Sequence, residues 1–101
     1  MKVYLDDVRD TPPGWTRAFT AQQAIELLRT GTVDEIDLDH DLGIEAEVGT
    51  GYDVLTWLEI QVREGTLRPP MTMKTHTSNA AAAERMMQAI AAIQKYVDTG
   101  A

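Results

Sequence analysis

The hydrophobic and polar positions of this chain predict strands and helices in turn. Short apolar runs that end in polar residues are typical of buried strands, and apolar residues spaced three or four apart are typical of helices. The predicted strands span residues 1–5, 15–19, 33–39 and 71–76. The predicted helices lie between residues 20 and 31, over 51–64, and from 78 or 79 to about 97. Thr20 and Gln23 have the spacing of a capping box, which supports a helix start there.

The order of these elements predicts an α/β fold with a mostly parallel sheet. The link between the first two predicted strands is shorter than the dozen or so residues that a helical crossover needs, so we expect no helix between them. Residues 71–76 alternate between apolar and polar side chains, which favours an edge strand over a central one.

Composition narrows the classes of function. A chain of 101 residues predicts one domain over residues 1–101. The net charge of −7, with no basic patch, argues against an extended nucleic-acid surface. The absence of cysteine excludes disulfides and thiolate metal sites. No apolar run reaches membrane length and no signal peptide opens the chain, so a cytoplasmic location is the expectation.

Polar clusters follow three of the predicted strands. They are Asp6-Asp7, Asp39-His40-Asp41 and His76-Thr77-Ser78-Asn79. In parallel sheets, ligands bind outside the carboxyl ends of the strands, where the strand order changes direction. The three clusters therefore predict one binding site at that edge of the sheet.

Carboxylates dominate the first two clusters. Adjacent acids repel one another unless a cation neutralises them, and carboxylates are ligands that Mg²⁺ and Mn²⁺ accept. Asp6, Asp7 and Asp39 are accordingly the predicted ligands of a divalent metal, Mg²⁺ or Mn²⁺. The alternative is that Asp7 and Asp10 cap the loop and pair with an arginine between them.

Both histidines of the chain, His40 and His76, lie at predicted strand ends. Imidazole transfers protons near neutral pH, so the pair is predicted to act as general base and general acid on a phosphate. The alternative is one structural and one exposed histidine. Three roles are open to Asp41, another candidate catalytic residue: it orients His40, reaches the metal, or only begins the loop.

Thr77, Ser78 and Asn79 open the last predicted helix. Helix N-termini present free N–H groups and the positive end of the dipole, so these residues are predicted to hold a phosphate. Arg9 is the predicted bidentate clamp on the same group. Simple N-capping and an ion pair with the neighbouring acids are the corresponding alternatives.

Four segments carry a resemblance to a known family. They are Leu5-Asp6-Asp7-Val8-Arg9, Leu38-Asp39-His40-Asp41-Leu42-Gly43, Thr50-Gly51-Tyr52-Asp53 and His76-Thr77-Ser78-Asn79. Together they resemble the cyclic-phosphate processing receiver-like family, over residues 3–87. The resemblance implies a receiver-like (flavodoxin-like) three-layer α/β sandwich whose sheet has the order 2-1-3-4. It also implies a metal-dependent phosphoesterase acting on a cyclic phosphate, either a small nucleotide or the 2′,3′-cyclic end of an RNA.

The chain departs from signalling receivers in two ways. It offers no lysine on a fifth strand, and Lys74 inside the fourth is a doubtful substitute, so a phospho-accepting receiver ranks last among the functions considered. A non-enzymatic module that binds a phosphate or nucleotide is the first alternative to an enzyme. The first crossover helix is also missing, which leaves one face of the sheet short of cover. We predict that the last helix, or a second subunit in a homodimer, covers that face.

Overall fold

Four parallel strands form the centre of the structure, a computed structural model that describes residues 1–98. The strands are β1 (Lys2–Leu5), β2 (Thr16–Ala18), β3 (Glu35–Leu38) and β4 (Thr72–Thr75). The helices are α1 (Ala21–Arg29), α2 (Glu45–Val48), α3 (Gly51–Arg63) and α4 (Ala80–Asp98). The strand order is β2-β1-β3-β4 and each neighbouring pair is parallel. The predicted receiver-like α/β fold and its strand order are confirmed.

Polar side chains begin the helices where the sequence predicts starts. The Thr20 hydroxyl accepts from Gln23 N (3.1 Å), and the Gln23 side chain accepts from Phe19 N (2.7 Å). A capping box of Thr50 and Asp53 begins α3. Asn79, one of the two candidates, begins α4, since its side-chain oxygen accepts from the backbone N–H three residues later. Such caps satisfy N–H groups that have no partner within the helix.

The core lies between one face of the sheet and the helices α1, α3 and α4. Alternate strand residues point to this face because the side-chain period of a strand is two. Its fully buried strand residues are Val3, Leu5, Ala18, Ile36 and Leu38, and Met73 is nearly so. The helices contribute, among others, Leu28, Leu55, Leu58, Met86 and Ile93. Helix α3 packs against both α1 and α4, so the helices form one continuous layer.

The strand residues that alternate with the core residues point to the opposite face of the sheet. It presents Lys2, Arg17, Glu35 and Lys74, all of them charged, and Lys74 is paired with Glu35 at 3.0 Å. Within residues 1–98 no helix packs on this face, so the described residues form two layers and not the three that were predicted. A parallel sheet can tolerate this exposure here because its outer positions are polar.

The prediction that the last helix covers this face is wrong, because α4 shares the core with α1 and α3. The connections from β2 to β3 and from β3 to β4 both run toward the same edge of the sheet. Right-handed crossovers then place both connecting helices on one face. The only connection that runs the other way, from β1 to β2, holds no helix in the described chain. Cover by a second subunit stays a prediction.

The helices of residues 1–98 include none with both the length and the hydropathy needed to cross a membrane.

Gly51 allows the first turn of α3 to lie against the carboxyl end of β3. A Cβ atom at this position would collide with the backbone carbonyl of Asp39 and come within 2.7 Å of the Met86 side chain. The Gly51 N–H also donates to the carbonyl of His40 (3.3 Å). This close approach therefore fixes the backbone that presents Asp39, and a side chain at position 51 would displace it.

Gly51→Ala is expected to destabilise the fold by about 3 kcal/mol, because overpacking against backbone cannot be relieved by a rotamer change. Gly65→Ala is the matched control. Gly65 has φ +75° and open space around its Cα, so that change costs about 1 kcal/mol from the left-handed backbone alone. Urea unfolding of the two variants measures the difference, and equal losses of stability would contradict the packing role of Gly51.

Candidate metal and phosphate site

Asp6, Asp39 and His76 form the one group of metal-ligating side chains found in the described part of the chain. One donor atom of each lies within 4.8 Å of the others. Each residue directly follows the last residue of its strand: β1, β3 and β4 respectively. The backbone ladder continues through them, since Asp39 N donates to Leu5 O (2.9 Å) and His76 N to Leu38 O (3.0 Å). The parallel register is therefore what brings together residues from three distant segments.

The Asp6 carboxylate is almost inaccessible, with 1% of the residue exposed. Its Oδ1 accepts from the backbone N–H groups of Val8 (2.8 Å) and Arg9 (2.9 Å). Burial on its own raises the pKa of this carboxyl, but these two hydrogen bonds and the one from His76 outweigh it. The pKa of Asp6 is therefore lowered, and the group is ionised at neutral pH.

His76 lies between two carboxylates. Its Nδ1 is 2.7 Å from Asp37 Oδ1 and its Nε2 is 2.9 Å from Asp6 Oδ2. The ring stacks on Tyr4, with centroids 4.6 Å apart and planes 4° from parallel. Burial favours the neutral ring, but the hydrogen bonds to Asp37 and Asp6 outweigh it, so the pKa of His76 is raised.

Two chemical states of His76 follow from this geometry. When both nitrogens carry protons, the imidazolium bridges Asp37 and Asp6. When only Nδ1 is protonated, it still donates to Asp37, and the Nε2 lone pair is directed toward Asp6 and near Asp39. The second state is the carboxylate–histidine–metal arrangement that orients a ligating imidazole. The donor set of two carboxylates and one imidazole therefore fits a divalent metal, with further positions left for water or substrate.

Asp37 and Tyr4 are site residues that the sequence analysis missed. Asp37 lies on β3 and Tyr4 on β1, paired in register on the open face of the sheet. The signal was the alternation of residues 35–39, in which acids and apolar residues take turns. Because the side-chain period of a strand is two, this alternation places Asp37 and Asp39 on the same face of the sheet. Burial, together with the charges of Asp6 and Asp37, raises the pKa of Tyr4 despite the nearby Arg9, so the phenol stays protonated.

The other predicted acid and base residues lie outside the three-residue group. Asp7, predicted to bind the metal, is half-buried on the loop after Asp6, and the described donor group contains His76 in its place. His40 is buried, and its Nδ1 lies 2.9 Å from the Asp41 carboxylate. Of the three roles open to Asp41, orienting His40 is the one that this contact supports.

The predicted phosphate-binding residues lie near the donor group, but some of them already have hydrogen-bond partners within the protein. Arg9 is more than half exposed, and its Nε lies 3.9 Å from Asp6 Oδ2. The Thr77 hydroxyl accepts from Asn79 N (3.1 Å), and Asn79 caps α4. Ser78 is exposed and its hydroxyl has no partner in the described chain. Arg9 and Ser78 are thus the members of this set with donors available to an anion.

A cavity also lies away from the donor group. A space of about 780 Å³ lies at the amino end of β4, lined by residues that include Val62, Pro70, Met73 and Val97. None of its lining residues belongs to the donor group, which lies at the opposite ends of the strands. We place the chemistry at the donor group, because ionisable side chains with shifted pKa values gather there.

The shifts define how the site contributes to stability in the absence of metal. Asp6, with a lowered pKa, contributes above about pH 3.8, and that contribution is lost as pH falls through its folded value. His76, with a raised pKa, contributes fully below about pH 6.5, and that contribution is lost as pH rises through its folded value. The ion pair between Asp6 and His76 therefore contributes most to stability between about pH 3.8 and pH 6.5.

In the metal-free protein, the His76 ring is expected to titrate above pH 6.5, and Asp37→Asn is expected to lower its midpoint by removing the partner of Nδ1. NMR titration of the imidazole nitrogens in the presence of a chelator measures both values. A midpoint at or below 6.5 in the wild type, or no change in Asp37→Asn, would contradict the bridged geometry.

Comparison with known proteins supports the receiver-like fold. The family model described as "Cyclic-phosphate processing Receiver domain" matches residues 1–92. No curated protein and no solved structure matches the chain. The matched region contains all four strands and the whole of the donor group, so the chain belongs to the cyclic-phosphate processing receiver domain family.

Proposed function

We propose that this receiver domain is a metal-dependent phosphoesterase that opens a cyclic phosphate. The observation that carries the proposal is the group of Asp6, Asp39 and His76, with Asp37 hydrogen bonded behind the imidazole. A buried acid that stays ionised, as Asp6 does, and a histidine oriented by a carboxylate are typical of a metal centre. The family match supports cyclic phosphate as the substrate.

In this proposal Asp6, Asp39 and His76 would hold the metal, which would supply a Lewis acid to the phosphoryl oxygens and to the attacking water. Water adds to phosphorus, the ring P–O ester bond breaks, and one proton of the water ends on the released hydroxyl. Arg9 and Ser78 contribute N–H and O–H donors to the phosphoryl oxygens. The N–H groups at the start of α4 add the positive end of the helix dipole.

His76 takes a different role in this scheme from the proton transfer first predicted for it. Its Nδ1 is engaged by Asp37 and its Nε2 is directed into the donor group, so neither nitrogen is left for the substrate. His40 keeps the proton-transfer role, which its hydrogen bond to Asp41 and its position next to Asp39 support. Because a ligating imidazole must be neutral, the affinity for metal falls as pH drops below the raised pKa of His76.

The nitrogen ligand favours Mn²⁺ over Mg²⁺ among the two metals first considered. Mg²⁺ prefers an all-oxygen shell, whereas imidazole suits the transition metals. Asp37 does not belong to the donor group, so it acts on the metal only through His76.

Asp37→Asn is expected to weaken Mn²⁺ binding by about 10- to 100-fold, because the oriented tautomer of His76 is lost. Titration calorimetry with Mn²⁺ and with Mg²⁺ tests this and the metal preference. Glu35→Gln is the control: it removes an acid from the same face of β3, but one paired with Lys74. Equal effects of the two substitutions would contradict the role of Asp37 in orienting His76.

The catalytic proposal predicts that the protein with Mn²⁺ converts a nucleoside 2′,3′-cyclic phosphate to the monoester, detected by chromatography. Asp39→Asn and His76→Gln are each expected to reduce turnover by at least about 100-fold, because the charge stabilisation that a bound metal supplies is worth several kcal/mol. Glu35→Gln again serves as the control and retains activity. Full activity in Asp39→Asn would overturn the proposal.

Capture of the ligand without turnover is the second candidate. The burial of His40 and its position outside the donor group favour it, because no other imidazole in the described chain is free to transfer a proton. The same incubation separates the two candidates: intact cyclic phosphate that raises the melting temperature, with no product, identifies a binding module.

A phospho-accepting receiver is disfavoured by the position of Lys74. Its ammonium group is 3.0 Å from Glu35, one row back from the end of the sheet. It is therefore engaged away from Asp39, the carboxylate that would carry a phosphoryl group.

A further inference from the structure

Phe19 occupies on β2 the position that the donor residues occupy on the other strands. β2 ends at Ala18, and Phe19 follows it as Asp6 follows β1. Leu5 and Ala18 are register partners, and Asp6 N donates to Ala18 O (3.1 Å). Phe19 therefore completes a row of four residues across the carboxyl ends of the sheet: Phe19, Asp6, Asp39 and His76.

The side chain of Phe19 is exposed but held. Half of the residue is accessible to solvent, and it is the chain's single phenylalanine. Its backbone N–H is fixed by Gln23, and the Arg17 guanidinium lies 4.6 Å from the ring centroid. Arg17 in turn donates from Nε to the backbone carbonyl of Asp6 (3.1 Å) and from a terminal nitrogen to Thr11 (3.4 Å).

Isolated exposed apolar side chains are common on protein surfaces and need no explanation. Phe19 differs because two features connect it with the donor group. Its strand is in register with β1, and Arg17 contacts both the Phe19 ring and the backbone carbonyl of Asp6. Adjacent strands are about 4.8 Å apart, so the backbone of Phe19 lies about one strand spacing from that of Asp6. A group attached to a phosphate at the donor residues reaches that distance.

We infer that Phe19 is a stacking surface for a nucleobase, so that the cyclic phosphate handled at this site is carried by a nucleoside. The inference rests on the proposed function, which it deepens by naming the substrate class. Arg17 backs one side of the ring and leaves the ring's remaining exposed surface to the base. Stacking on an aromatic ring accepts any base, because every base has a π face.

The test compares two cyclic phosphates that differ in the base: adenosine 2′,3′-cyclic phosphate and glycerol 1,2-cyclic phosphate. Phe19→Leu keeps an apolar side chain and removes the π face. It is expected to lower kcat/KM for the adenosine compound at least 10-fold and to leave the glycerol compound unchanged. Phe19→Trp is expected to retain the preference for the base. Ile44→Ala, which removes another exposed apolar side chain from a loop at the same edge, should change neither substrate.

Equal turnover of the two compounds by the wild type, or an equal effect of Phe19→Leu on both, would overturn the stacking role and leave the phosphoesterase proposal standing. If the wild type hydrolyses neither compound, the phosphoesterase proposal fails. Stacking is then decided by NMR. Upfield shifts of the Phe19 ring protons with the adenosine compound but not with the glycerol compound support the inference, and their absence refutes it.

Discussion

The parallel register of four short strands is the constraint on which both the core and the site depend. Each strand alternates between the helical layer and the open face, and the residue after each strand continues that alternation. One physical arrangement therefore buries Leu5 and Leu38 in the core and places Asp6 and Asp39 side by side beyond them. A shift of any strand by one residue would exchange the two sets, which exposes core residues and buries carboxylates. The register that stabilises the fold is thus the same one that assembles the donor group.

Within residues 1–98 no helix covers the second face of the sheet, and this openness is linked to the chemistry of the site. His76 reaches back along this face to Asp37, and both stay partly exposed. A helix packed on this face would remove water from the side chains of Asp37 and Asp39. Burial of carboxylates without water or a partner costs free energy. The Tyr4 ring covers one side of the His76 imidazole. Trp15 packs edge-on against Tyr4, with ring centroids 6.1 Å apart. The open face therefore lets Asp37 orient His76 without the desolvation penalty of a closed layer.

Much of the fold and part of the site could be predicted from the sequence. Periodicity located the strands and main helices, and polar residues at strand ends identified Asp6, Asp39 and His76 as candidates. The sequence alone does not show which residues that are adjacent in the chain also lie together in the site. Asp7 directly follows Asp6 and His40 directly follows Asp39, yet neither belongs to the described donor group. Asp37 and Phe19 become visible only when the register between strands is known, because each acts on a residue from another strand.

The roles proposed for the two histidines differ because different groups surround each ring. An imidazole with a carboxylate on both nitrogens is strongly oriented, and it can exchange a proton only by giving up one of those partners. That suits a ligand, whose tautomer must not change, better than a general acid, which must release its proton in every cycle. His40 has a carboxylate on Nδ1 alone, so its second nitrogen keeps the freedom that proton transfer requires. The raised pKa of His76 is, in this view, the metal-free signature of a binding position rather than of a catalytic acid.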